Sequence, residues 1–466
     1  MGTVVYRTSD DKGGRKAPPD DLKVTVKERC MVYPAEETER KNMYLPNIDQ
    51  VLNFDVQTVH FFEGKEEFPV DVVVEKLKQG LRKVLVHYDY LAGRLKMNEE
   101  VGRLEIDCNA AGAGFLVASS DYSLSDLGDL VFPNPAFRHL VYDMDNDDHP
   151  LCIFQVTTFK CGGFAIGMST NHTTFDGLSF KLFLENLASQ VADKPIISPP
   201  LNDRRLLAAR SPPRVTFPHP ELLKLKLPAG KEDQLLPPVF DAQDQDLDFR
   251  IFRLSLADIN SLKNKAKADA NIQQSNRVKI TGFNVVTAHL WRCKALSSSP
   301  DDKERLSTVL YAVDIRSRLN PPLAKSYTGN AVLTAYATAP CKDLEEEPFS
   351  RLVEMVWEGA ARMTDEYARS AIDWGEINKG FPHGEFLVSS WWRLGFDQVE
   401  YPWGKPRYSC PVVYHRKDII LLFPDINTDN NQSDGSGERS DGVNILVALP
   451  TKEMDLFKTL FHKFHA

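Results

Sequence analysis

The stretch Thr170-Asn171-His172-Thr173-Thr174-Phe175-Asp176-Gly177 decides how this chain is read. Upstream, CIFQVTTF (Cys152 to Phe159) and FAIGMS (Phe164 to Ser169) are apolar runs of strand length, separated by Lys160-Cys161-Gly162-Gly163. Two such runs around a Gly-rich turn predict a hairpin. Downstream, Leu178, Phe180, Leu182, Phe183, Leu187 and Val191 recur at spacings near three and four, one face of an amphipathic helix. His172 therefore falls at a strand-to-helix turn, and Gly177 opens the helix. An imidazole there is rigidly held and can still face a cavity.

Taken alone, the pattern is weak. With 11 histidines and 65 acidic residues in 466, one or two matches with an acid four places on arise by composition. A second match, His139-Leu140-Val141-Tyr142-Asp143, is expected in a strand beside the acidic run Asp143 to Asp148, with no glycine after it, and reads as coincidence. Locally, His172 serves equally well as a hydrogen-bonded core histidine or as a functional one.

Composition bounds the class. A chain of 466 residues is long for one core, so two domains are expected. Hydrophobic and charged contents of 42% and 26% are those of an ordinary globular protein. The net charge of −9 argues against nucleic acid or an anionic membrane surface as the main partner. Seven scattered cysteines form no C-x-x-C pair, which suits free thiols and offers no zinc site. Cys161, in the hairpin turn, reads as an inert thiol rather than a nucleophile. The polar N-terminus, Thr8 to Asp20, lacks a signal-peptide core, and no apolar run is long enough to span a membrane. The cytosol is the expected address.

Strands and helices mix without strict alternation, an α+β pattern. Leu22 to Val32, Asp49 to Phe62, Arg103 to Cys108 and Phe115 to Ala118 read as strands, and Val70 to Val86 as a helix. In the second half, Phe249 to Leu254, Ser307 to Arg316, Asn330 to Ala339, Leu387 to Trp391, Asp418 to Phe423 and Val443 to Leu449 read as strands. The expected helices there are Ala257 to Ala268 (capped by Ser255), Asn284 to Leu296, Phe349 to Ala368 and Met454 to Phe464. Prolines crowd the region between Asp193 and Asp248, and Asp429 to Asp441 is acidic, Asn/Ser/Gly-rich and expected to be mobile. The chain thus divides into 1–195, a proline-rich crossover at 196–248, and 249–466.

Several motifs, in order, resemble those of the BAHD acyltransferases, which transfer an acyl group from coenzyme A to an alcohol or amine. His172 to Gly177 resembles their HxxxDG. Asp89-Tyr90-Leu91-Ala92-Gly93-Arg94 is similar to YPLAGR, and Ala288-His289-Leu290-Trp291-Arg292 falls where the family has such a helix. Asp314-Ile315-Arg316-Ser317-Arg318 resembles DxRxR, and Gly329-Asn330 resembles the GN turn. Ser389-Ser390-Trp391 matches the TSW or SSW segment, and Tyr401-Pro402-Trp403-Gly404-Lys405-Pro406 stands in place of the DFGWGKP segment, with Glu400 before it. Together they cover nearly the whole chain. The C-terminal stretch Ser389 to Pro424 looks like hydroxycinnamoyl or ω-hydroxy-acid feruloyl transferases of plants.

The resemblance implies two chloramphenicol-acetyltransferase-like α/β domains with a channel between them, acyl-CoA entering as co-substrate from one side and a small-molecule alcohol from the other. No permanently bound cofactor, metal or nucleic acid is expected, and a monomer is. A neutral imidazole suits a general base near neutral pH, so His172 takes that role. The indole N–H of Trp391 and the Ser389 hydroxyl are oxyanion donors. Asp176 either orients His172 or, as in the family, turns away to pair with Arg316 or, second, Arg318. Gly177, Trp403 and Gly404 support the site. Pro402 departs from the family glycine, which leaves open whether the loop tolerates it or is rebuilt. The competing readings are a non-catalytic accessory protein of the same fold that binds acyl chains or a partner in lipid elongation and, more distantly, a peptide-synthetase condensation domain.

Overall fold

The computed structural model describes residues 22–465 apart from 129, 132–133, 143–147, 226–246, 269–277, 299, 413–417 and 426–439. The polar N-terminus and most of the stretch expected to be mobile, 429–439, lie outside the described residues.

Two six-stranded sheets organise the chain. Across the first, the strands run Val24–Val32, Ala113–Ser120, Cys152–Thr158, Phe164–Asn171, Asp55–Phe62 and Tyr408–Pro411. Phe164–Asn171 pairs on both edges and is buried throughout, which is why its sequence is a continuous rather than an alternating apolar run. The helices Val70–His87 and Gly177–Val191 cover one face, with Leu77, Leu81, Phe183 and Leu187 at 0% exposure.

The second sheet runs Asp248–Leu254, Ser440–Leu449, Ile419–Asp425, Phe386–Ser390, Leu306–Asp314 and Val332–Pro340. Helices Leu256–Lys267, Gly282–Ser298, Phe349–Ala361 and Thr451–His465 bury one of its faces in the largest core. Gly282–Ser298 lies inside that core. Its Trp291 is fully buried and donates its indole N–H to Ser307 Oγ at 3.0 Å. The sheet's other face carries a smaller apolar cluster, Phe249, Phe423, Leu446 and Ala448. The architecture is the expected pair of mixed α/β units.

Three local expectations are corrected. Phe349 to Ala368 is not one helix: Phe349–Ala361 ends and Asp365–Ile377 begins anew, with the Thr364 side chain accepting from Tyr367 N as a cap. His139 sits in the 3-10 segment Pro135–Leu140, not in a strand, and its Asp143 lies outside the described residues. The strand expected from Asp49 begins at Asp55, because Asn47–Gln50 forms a short helix first.

The described part of the crossover is held down. Leu222–Lys224 pairs with Gly380–Pro382. His219 bridges Glu221 Oε1 at 3.0 Å and Ser370 Oγ at 2.8 Å, and Tyr367 donates to the same Glu221 oxygen. This has the composition of a Ser-His-Glu triad, yet His219 and Ser370 are 1% and 0% exposed, and Ser370 Oγ also accepts two crossover backbone N–H groups. It is a buried clamp.

One strand crosses over between the halves. Tyr408–Pro411, late in the chain, pairs with Asp55–Phe62 at the edge of the first sheet. The turn before it carries two second-half rings into the first core. Tyr401 and Trp403 stack at 5.2 Å, and Trp403 meets Phe62 and Phe164 edge-on. Tyr401 N donates to Gly404 O at 3.1 Å and Gly404 N to Tyr401 O at 2.8 Å, so Pro402 occupies the second position of a tight turn. Proline's fixed negative φ suits that position. The positive φ falls instead on Gly404, at 106°. The turn therefore tolerates the proline. Replacing Pro402 by glycine should cost roughly 0.4–1 kcal/mol by loosening the unfolded chain. Gly404→Ala should cost roughly 1–3 kcal/mol. Urea unfolding checks both, and a gain in stability from Pro402→Gly would show that the proline strains the turn.

Candidate active site

The His172 turn leaves the sheet with few regular backbone partners, so its buried polar groups must be satisfied by side chains. His172 N donates to Phe54 O at 2.8 Å. Asn171 Oδ1 accepts from the Thr173 amide and hydroxyl at 3.1 and 2.7 Å. Three successive carbonyls then receive donors from elsewhere in the chain. Asn330 Nδ2 donates to His172 O at 2.8 Å, Arg204 Nη1 to Thr173 O at 3.4 Å, and Arg204 Nη2 to Thr174 O at 2.8 Å. Asp49 ties the donors together, accepting from Arg204 at 3.1 Å and Asn330 at 2.7 Å. The side chains of Arg204 and Asp49 are completely buried. Burial pushes the Asp49 carboxyl up, to about 6, against the opposing pull of Arg204 and Asn330.

Asp176 caps the helix Gly177–Val191: its Oδ1 accepts from Ser179 N at 2.9 Å. Arg316 Nη2 reaches both carboxylate oxygens, at 3.0 and 2.8 Å, and Ala331 N donates to Oδ2 at 2.9 Å. Among the described residues no hydrogen bond joins Asp176 to the imidazole. The orienting geometry of a Ser-His-Asp triad is thus absent, and the arginine partner is Arg316. Arg318 instead donates to the carbonyls of Ala360 and Met363. Gly177 lies against Leu394: a Cβ there would sit 2.6 Å from Leu394 Cδ1, so a larger residue would have to displace that side chain.

His172 is half-buried and stands edge-on to Phe54, with ring centroids 5.2 Å apart. Its Nδ1 is enclosed and finds no partner, which leaves Nε2 as the nitrogen open to the cavity. Burial lowers its pKa. The carbonyls of its own turn and the Asp176 charge pull the other way but do not reverse the shift. The ring is therefore neutral at pH 7.

A cavity of about 2250 Å³ lies between the two halves. It brings His172, Gly177, Asn330, Ser389 and Trp391 to one space. Ser389 is carried by Phe386–Ser390, held between two parallel neighbours. Trp391 continues that strand, its backbone N–H donating to Leu422 O at 2.8 Å and its ring standing perpendicular to Phe396. Trp403 and Gly404 are not in this space; they belong to the core of the first half. Cys161 is exposed in the hairpin turn, away from the cavity.

Sequence reading did not find Arg204, Asp49 or the role of Asn330. Arg204 is one of three arginines in seven crossover residues, and nothing local marks it as buried. Removing one partner of either buried pair leaves a charge without compensation, so Asp176→Asn and Arg204→Met should each cost about 3–5 kcal/mol. Chemical denaturation measures this. An unchanged midpoint for Asp176→Asn would mean that the pair with Arg316 is not holding the turn.

A family model described as "Transferase family" matches residues 22–464. The chain is 59% identical over 460 residues to acyltransferase GLAUCE of Arabidopsis thaliana, covering 96% of this chain and 98% of that one. It is 33% identical to the omega-hydroxypalmitate O-feruloyl transferase of the same plant, covering 94% and 93%. Its fold matches that of F. graminearum TRI101, solved with coenzyme A and T-2 mycotoxin, with a TM-score of 0.70 at 14% identity, over 90% of this chain and 97% of that one. The family's acyl transfer from a coenzyme A thioester to an acceptor is the reaction that a cavity of this kind has to house, and the chain belongs to the Transferase family, the BAHD acyltransferases that its motifs resemble.

Proposed function

We propose that this acyltransferase moves a hydroxycinnamoyl group from its coenzyme A thioester to an alcohol, with His172 as general base. The observation that carries the reading is a neutral, half-buried imidazole whose Nε2 opens on a cavity shared with Ser389 and Trp391. The acceptor hydroxyl gives its proton to Nε2 as its oxygen attacks the thioester carbonyl. Negative charge gathers on the carbonyl oxygen, where the indole N–H of Trp391 and the Ser389 hydroxyl donate hydrogen bonds. The tetrahedral species collapses, the C–S bond breaks, and the imidazolium returns its proton to the departing thiolate. The products are an ester and free coenzyme A. Asp176, Arg316, Arg204, Asp49 and Asn330 hold the turn beneath the base and exchange no proton.

Two relatives with hydroxycinnamoyl-type names guide the choice of substrates: the feruloyl transferase above and a shikimate O-hydroxycinnamoyltransferase of Nicotiana tabacum. Both names specify O-acylation, which favours an alcohol over an amine. No described helix is long and apolar enough to cross a membrane. A monomer acting in the cytosol is the setting we propose. The intact turn at Pro402 favours catalysis over a retired, non-catalytic relative.

His172→Ala should lower kcat by about 10²–10⁴-fold without loss of fold. Mass spectrometry of products from hydroxycinnamoyl-coenzyme A and mixed alcohols is the assay, and wild-type turnover by the folded variant would sink the assignment. Because burial lowers the His172 pKa and the neutral ring is the active form, kcat/KM should fall on the acid side with a midpoint below the ordinary histidine value of about 6.5. Donor alone should leave no stable acyl adduct on the protein, since direct transfer uses no nucleophilic side chain. A stoichiometric adduct in the intact mass would overturn that.

A further inference from the structure

Beside the His172 turn, one face of the first sheet changes character along a single pair of strands. On that face of Asp55–Phe62 and Phe164–Asn171, register sets Phe61 against Ala165, Val59 against Gly167, Gln57 against Ser169 and Asp55 against Asn171. The first two pairs are covered. Val59 and Phe61 are 0% exposed, in an apolar cluster with Phe137 and Leu140. The last two pairs are polar on both strands, and Asp55, Gln57 and Asn171 line the cavity. Polarity on this face thus starts where the cavity starts, and it ends at the residue before His172.

Three of these four polar side chains are bound to one another. Asp55 Oδ2 accepts from Ser169 Oγ at 3.2 Å and from His149 Nε2 at 2.8 Å. Asp55 Oδ1 accepts from Asn171 Nδ2 at 3.3 Å, and that amide makes a shorter bond, of 3.0 Å, to Asn53 Oδ1. The carboxylate is therefore fixed in place, while Oδ1 keeps room for a second donor. Gln57 differs. It is 8% exposed, and among the described residues its side-chain amide has no hydrogen-bond partner. A nearly buried amide without a partner is costly. An apolar residue there would simply extend the Val59 and Phe61 cluster, so packing does not account for it. Gln57 and Asp55 stand on the same face, two residue steps or about 7 Å apart along the strand.

We infer that Asp55 and Gln57 form a hydroxyl-binding station on the cavity wall, holding a substrate hydroxyl that does not itself react. A hydroxyl both donates and accepts. Its proton goes to Asp55 Oδ1, and its oxygen takes an N–H of the Gln57 amide. A methyl ether in the same place has no proton to give and covers the carboxylate oxygen with a methyl group. A phosphate or carboxylate is repelled by Asp55. His149, Ser169 and Asn171 act through the carboxylate, as positioning groups. Because Asp55 pairs with Asn171, a hydroxyl held here is fixed relative to the strand end that carries His172. The station rests on the acyltransferase reading above. Its ligand is the ring hydroxyl of a hydroxycinnamoyl donor or a second hydroxyl on the acceptor.

The test measures dissociation constants on the full chain in two series. The donors are cinnamoyl-, p-coumaroyl- and p-methoxycinnamoyl-coenzyme A. The acceptors are 2-phenylethanol and its para-hydroxy and para-methoxy derivatives. In one series the hydroxylated member should bind roughly ten- to hundredfold tighter than the other two, and that series names the source of the hydroxyl. Gln57→Leu should bring the three members of that series close to equal affinity. Asp55→Asn, which puts an amide where the carboxylate stands, should let the methyl ether bind as well as the hydroxyl. A purely structural role for either residue would weaken all members alike and leave the ratios as they are. If Asp55→Asn melts early, Gln57→Leu carries the test, because the side chain it removes bonds no other described residue. Two flat wild-type series, or a hydroxyl preference that survives Gln57→Leu, overturn the inference. Turnover is scored separately. A hydroxyl preference that Gln57→Leu removes, in a protein that transfers no acyl group, keeps the station and sinks the transferase reading. Acyl transfer alongside flat binding series does the reverse.

Discussion

Everything near His172 hangs on one carboxylate. Asp176 closes the first turn of Gly177–Val191 by accepting from Ser179, takes Arg316 on both oxygens, and binds the Ala331 amide. The first contact fixes the helix that follows His172. The other two fix the second half of the chain against it. A single buried anion thus sets both the local backbone and the alignment of the halves. Such a group is tolerable only when fully partnered, and four N–H···O contacts to two oxygens provide that.

The histidine turn obeys the same logic with opposite sign. Its carbonyls at His172, Thr173 and Thr174 are the groups that need partners, and the donors come from downstream, Arg204 at 30 and 31 residues and Asn330 at 158 residues. The imidazole is held through its own backbone rather than through Nδ1, which is left without a partner. Burial outweighs the pull of the neighbouring carbonyls, Asn330 and the Asp176 charge and keeps the ring neutral, the form in which a nitrogen can accept a proton. Rigidity and protonation state are thereby supplied by different parts of the structure.

What the sequence conveyed followed from periodicity and local signals. The hairpin before His172, the helix after it and the Ser255 cap were all legible because a few adjacent residues encode them. The choice of Arg316 over Arg318 was legible only through motif order. Arg204 was not, since its burial depends on how a proline-rich segment lies across Asp49, and no neighbouring residue reports that. Tyr408–Pro411 was missed for a like reason: four residues, one of them proline, carry too little alternation to announce a strand, and the edge they complete is far upstream. The division of Phe349 to Ala368 into two helices did have a signal, Thr364 before two acids, overridden by the apolar periodicity on either side.

The strand exchange at Tyr408–Pro411 also bears on how the protein is made. Asp55–Phe62, buried along most of its length in the finished fold, emerges from the ribosome early, whereas the strand and the Tyr401–Trp403 stack that cover it come near the end of synthesis. For most of translation the first sheet has an open edge bearing Val59 and Phe61, the kind of surface that templates wrong pairing with other chains. Yield in a foreign host should thus be governed by the chaperones that shield this edge during elongation. The first half, expressed by itself, would leave that edge of Asp55–Phe62 without its partner strand.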